Sequence, residues 1–228
     1  MINDLKLGFK LLKHSMQFKM SIIIGCLFMI IGLIFDITSL SMTSPVISVY
    51  YLFGMAFTSQ LVSNLSASQM VQSSPYKKRL QTTIITMMCV CIELITMTMM
   101  LGIKAIQYYG QEDMQICVID SILIVSMSIL VFNLYMTMAT KFYWSATVVF
   151  FLTYFGLFGI IMRRQYEMAF QGILGELAIL PQISFVTAVA ICYGAILLGG
   201  ILMYVISNLL YKREYSKMMF KTALERAK

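Results

Sequence analysis

Ionisable side chains are scarce in the apolar parts of this sequence, so the few that occur there mark where chemistry is conceivable. Glu93 is the sharpest of them. It follows Thr82 by eleven positions in the run "TTIITMMCVCIELITMTMMLGI", which at ~1.5 Å per residue places it about 16 Å along a helix, near the middle of a bilayer. An ionisable group at that depth is costly and by default marks a functional site, facing the bundle interior or a cavity. The alternative is a protonated glutamate satisfied by a neighbouring helix. Thr86, Cys89, Thr96 and Met97 share a modestly polar face with it.

Asp36, Lys104 and Asp120 fall near the outer ends of their apolar runs, where they read as anchors or ion-pair partners rather than transport residues. The chain also has 21 methionines, and Met87, Met88, Cys89, Cys91, Met97, Met99 and Met100 crowd one run. Soft sulfur ligands select Cu(I). However, residues two apart on a helix point about 200° away from each other, so Cys89 and Cys91 cannot share an ion. The methionines therefore read as flexible apolar filler, and no metal site is expected. The single histidine, His14, lies in the basic amino-terminal segment. Histidine-dependent hydrolysis inside the membrane is excluded as an expectation, and no Gly-x4-Gly-Lys-Ser/Thr loop offers a nucleotide site. The chain is expected not to be an enzyme, to need no cofactor of its own and to bind no nucleic acid. The five cysteines are scattered and mostly within apolar runs, which predicts no disulfide framework.

The elements that must position these residues are transmembrane helices. Of the 228 residues, 60% are hydrophobic and 12% charged, against about a quarter charged in an ordinary soluble domain. A hydrocarbon core of ~30 Å needs about 20 apolar residues per helical crossing. Six stretches qualify: Met20–Thr38, Pro45–Leu65, Thr82–Ile103, Val118–Ala139, Phe142–Met162 and Ile183–Asn208. The expected fold is a single all-α integral membrane domain with six transmembrane helices. Orientation follows from the bases, because Lys and Arg in short loops stay in the cytoplasm. One side gathers fourteen of the 17: Lys6, Lys10, Lys13, Lys19, Lys77, Lys78, Arg79, Lys141 and six from Lys212 onward. Both termini are expected in the cytoplasm. The same bases suit anionic lipid.

Between the spans the sequence is informative at four places. Residues 1–19 read as an interfacial helix starting near Asn3, with Ile2, Leu5, Phe9, Leu12 and Met16 on one face and Lys6, Lys10, Lys13 and Gln17 on the other. Residues 66–80 form a cytoplasmic segment in which Pro75 precedes three consecutive bases. Residues 163–182 contain "MAFQGILGELAIL", too short to cross and bracketed by Arg163, Arg164 and Pro181, with Glu167 and Glu176 inside. This predicts a re-entrant outer segment before the last helix, bordering something functional. In the last span Ala190 and Gly194, and Ala195 and Gly199, stand four apart, a spacing that lets helices approach closely. The tail, residues 209–228, is expected in the cytosol.

An interfacial amino-terminal helix, six spans, a basic segment after the second span and an outer re-entrant region before the last together resemble the membrane subunit of type-2 ABC exporters. The stretch "SSPYKKRLQTT" keeps that family's proline and basic group, with Ser74 where the family often has leucine; "SNLLYKREYSK" resembles its last-span exit. The resemblance implies a bacterial plasma-membrane permease that works with a separate ATP-binding-cassette ATPase, which holds the ATP, and with a second permease copy. It assigns ATPase coupling to Met70, Pro75, Tyr76, Lys77, Lys78 and Arg79. Glu167 and Glu176 are outer-gate candidates, and the few fixed charges in the spans point to a hydrophobic or amphipathic cargo such as a peptide, lipid or drug. Glu93 is the transport-path candidate. The alternatives are a carrier independent of any ATPase that uses Glu93, and a membrane binding or immunity protein.

Overall fold

The structure is a computed structural model that describes residues 2–13, 18–38, 48–67, 69–110, 115–169 and 183–214. Every regular element among them is helical: α1 (Ile2–Leu12), α2 (Phe18–Thr38), α3 (Ser48–Ala67), α4 (Gln69–Gln72), α5 (Lys77–Arg79), a π-helical turn (Leu80–Ile84), α6 (Ile85–Gly110), α7 (Gln115–Ala139), α8 (Tyr143–Ala169) and α9 (Phe185–Leu209).

Four helical stretches among the described residues are long and apolar enough to cross a bilayer: Phe18–Thr38, Lys77–Gly110, Gln115–Ala139 and Phe185–Leu209. This multi-pass pattern makes the chain a membrane protein. Six spans were expected. The second expected span coincides with α3, whose later half carries Thr58, Ser59, Gln60, Ser63 and Asn64 and so is only weakly apolar. The fifth was expected to end at Met162, but α8 runs on as helix through Arg163, Arg164 and Glu167 to Ala169. The rest of the expected re-entrant segment, residues 170–182, lies outside the described residues.

Around α3, α6, α7 and α9 the core divides into two apolar layers. One contains Tyr51, Met55, Met97, Met100, Ile122 and Ile196. The other contains Leu61, Leu65, Ile84, Met88, Phe132 and Met203, and extends to Leu12 of α1. On the outside, α2 packs chiefly on α3 and α8 on α7. α2 turns Ile23, Leu27, Ile30 and Ile34 outward, as a lipid-facing helix does. Its inner side is glycine-rich because the backbones nearly touch: a Cβ on Gly25 would stand 3.2 Å from the Gly54 carbonyl oxygen. In a bilayer, where lipid is as apolar as leucine, such close approach is what joins helices.

α1 packs against α3, the π-helical turn and α6. Leu12 is buried as its amphipathic pattern predicts, but Phe9 is exposed. The neighbouring Gly8 faces inward instead, since any side chain there would strike Ile84 and Met88. Lys6, Lys10 and Lys13 stay exposed.

Candidate functional site

Four residues interrupt the apolar packing where the two layers meet: Ser59 on α3, Glu93 on α6, Asn133 on α7 and Gly199 on α9. The first three side chains are essentially inaccessible. The Asn133 Nδ2 group donates to Glu93 Oε2 at 3.1 Å. Among the described residues Glu93 Oε1 and Asn133 Oδ1 have no hydrogen-bond partner, and Ser59 Oγ has only the Cys89 thiol beside it. Gly199 makes room for the amide, since a Cβ there would stand 2.5 Å from Asn133 Nδ2. Buried polar groups are nearly always satisfied, so two orphans on one hydrogen-bonded pair stand out.

A second polar cluster closes the far end of the first apolar layer. Lys104 Nζ lies 2.7 Å from Asp36 Oδ1, both side chains fully buried. The Tyr51 hydroxyl donates to Asp36 Oδ2 at 3.0 Å, and Gln107 Nε2 donates to the Asp36 carbonyl oxygen at 2.8 Å. One aspartate thus ties α2 to α3 and α6. Of the three charges expected near the outer interface, Asp36 and Lys104 pair with each other. Asp120 is also buried, and Ser121 beside it bonds Ser48 of α3.

The opposite end of the bundle gathers the bases. Residues 73–76 form a turn between α4 and α5: Ser74 N–H donates to the Val71 carbonyl, Lys77 N–H to the Ser74 carbonyl, and Tyr76 N–H to Ser74 Oγ. Val71 is buried beneath the turn, whereas Pro75 is exposed and Tyr76 is 66% exposed at its tip. Pro75 suits this position because it cannot donate to a preceding helical turn. Within the basic segment expected at residues 66–80, α3 continues to Ala67 and the single-turn α4 follows before the turn. From Lys77 onward the chain is helical for 34 residues, so the basic group and the Glu93 span form one rod. A π-helical turn at its start is a local irregularity of the kind that recurs at functional sites.

Lys78 lies over the Tyr211 ring at 5.9 Å and Arg213 over the Phe142 ring at 4.0 Å. Lys141 donates to the Arg213 carbonyl oxygen at 2.6 Å. Partial burial, reinforced by Lys77, pushes the Lys141 ammonium down to about 8. These contacts bring Lys77, Lys78, Lys141 and Arg213 to one end, as the charge distribution predicts.

The chain matches no family model, no curated protein and no solved structure.

The sequence-derived candidates therefore fall into separate places. Pro75, Tyr76, Lys77, Lys78 and Arg79 form the basic turn, and Met70 sits in α4. Glu93 is near the centre of the bundle. Glu167 lies in the final turns of α8, and Glu176 is outside the described residues. Sequence reasoning missed Asn133, Ser59 and Tyr51. The available signal was polarity at depth: Asn133 is eighteen residues into α7 among apolar neighbours. Among the described residues no cluster of three His, Cys, Asp or Glu side chains is placed to hold a metal ion.

Proposed function

We propose that the chain is the permease subunit of an ATP-driven exporter, coupled at its basic end to a separate ATP-binding-cassette ATPase and paired with a second permease. The observation that carries this reading is the Pro75–Tyr76 turn. It presents an exposed aromatic side chain beside Lys78 and Arg79 while Val71 anchors it to the core. Aromatic residues with a polar tip are favoured anchors in a partner's pocket. The turn also heads the 34-residue rod that carries Glu93 and ends beyond Lys104, so a displacement at the turn moves both buried polar clusters.

By the positive-inside rule this end faces the cytoplasm, and the resemblance to type-2 ABC exporters implies a bacterial plasma membrane. The cargo is hydrophobic or amphipathic. An apolar groove of about 480 Å³ between α7 and α8, lined by Tyr135, Phe142 and Phe150 among others, suits such a molecule. The outer-gate assignment of Glu167 and Glu176 belongs to the same reading.

The test is capture of the tagged chain in mild detergent, with mass spectrometry of what co-purifies. An ATP-binding-cassette subunit is the expected outcome. Recovery of the chain alone, under conditions where a known transporter complex survives, would overturn the reading.

A further inference from the structure

We propose that Glu93 is a proton-binding site, in which its carboxylic acid pairs with the Asn133 carboxamide across α6 and α7. The geometry is specific about which atoms are satisfied. Asn133 Nδ2 already donates to Glu93 Oε2, and the two atoms left over on the same two side chains are Glu93 Oε1 and Asn133 Oδ1. Both are acceptors while the carboxylate is ionised. One added proton changes that: Oε1–H becomes a donor to Oδ1, and two orphans become one hydrogen bond. The result is a cyclic acid–amide pair, formed from carboxylate and proton with no other bond broken.

The surroundings favour the neutral acid. An ionised carboxylate taken out of water requires a paired charge or several donors, and among the described residues a single neutral amide donates to it. On α6 itself, Cys89 lies one turn before Glu93, and Lys104, eleven residues on, is committed to Asp36 of α2. On the same rod Lys77, Lys78 and Arg79 are at least fourteen residues away, about 21 Å by helical rise. α1 contributes Lys6, Lys10 and Lys13, all exposed. α3 offers Tyr51, which bonds Asp36. α7 offers Tyr135, beside Phe150, and Asp120, thirteen residues from Asn133. α9 offers Cys192, near Ser126, with Tyr193 bonding Thr98 and Tyr204 exposed. None of these cations is placed to neutralise Glu93, so the proton does.

The site links proton occupancy to the apposition of α6 and α7. Losing the proton leaves two unsatisfied acceptor oxygens on the paired side chains at the layer junction. Infrared spectroscopy of the full chain in lipid nanodiscs tests this directly, together with melting temperature as a function of pH. A carboxylic-acid carbonyl band is expected at neutral pH, absent in Glu93→Gln and displaced in Asn133→Leu. The wild-type melting temperature should fall as pH rises, while that of Glu93→Gln stays flat. Glutamine reproduces both hydrogen bonds of the acid, so failure of Glu93→Gln to fold would overturn the proposal. So would persistence of the acid band in that variant, or a pH slope equal to that of the wild type.

Discussion

Lys104 reaches Asp36 at 2.7 Å with neither side chain exposed to solvent, and the same carboxylate takes a second hydrogen bond from Tyr51. An ion pair this deeply buried holds α2 to the bundle only while both partners are present. Removing one leaves an uncompensated charge, which costs about 3–5 kcal/mol, whereas replacing both with apolar residues is often nearly neutral. Lys104→Met and Asp36→Asn are each expected to lower thermal stability strongly in detergent. Asp36→Leu combined with Lys104→Met should recover much of the loss; a double variant as unstable as the sum of the single ones would contradict this.

Gly199 is a second point of leverage. An added methyl group would meet the Asn133 amide, while Gly194 on the same helix has open space around it. Gly199→Ala is expected to destabilise by about 1–3 kcal/mol through overpacking. Gly194→Ala should be neutral or slightly stabilising, since alanine is the better helix former. Comparing the two melting temperatures within one helix controls for everything except the contact.

Tyr76 should separate coupling from folding. Its side chain is 66% exposed, so Tyr76→Ala is expected to leave the melting temperature within about a degree or two, in line with the small effect of surface substitutions. If the chain is the permease proposed above, the same change should abolish stimulation of the co-purified ATPase and transport in reconstituted vesicles. Intact stimulation at equal expression would remove Tyr76 from the docking surface.

Lys141 should give the basic end a pH signature. Its ammonium is pushed down to about 8 by partial burial and by Lys77. Between that value and the ordinary lysine range the unfolded chain holds a proton that the folded chain has released, so stability rises with pH across this window. The contribution is absent below about 8 and complete near the ordinary value. Differencing wild type against Lys141→Gln isolates it; parallel pH profiles would show that Lys141 is not its source.

The sequence made apolar spans legible, and single features where one residue carries the information. Hydropathy located the α2, α6, α7 and α9 spans, and Pro75 marked the basic turn. Depth along a helix singled out Glu93. Its partner was another matter: Asn133 is forty positions away, and Lys104 is 68 positions from Asp36. Such pairs depend on the register between helices, which packing decides and periodicity does not. The same limit explains α1, where the apolar stripe was visible but Gly8, having no side chain, could not announce that it faces inward. Gly25 and Gly54 were likewise silent, being lone small residues on different helices.

The polar belt has a mechanical consequence. With Ser59, Glu93, Asn133 and Gly199 wedged between two greasy layers, sliding α6 past α7 by one turn, about 5.4 Å, would drive a carboxyl group into hydrocarbon and a methylene stack onto an amide. The belt therefore works as a detent. It penalises piston-like travel of α6 against α7, so any displacement of one is passed to the other.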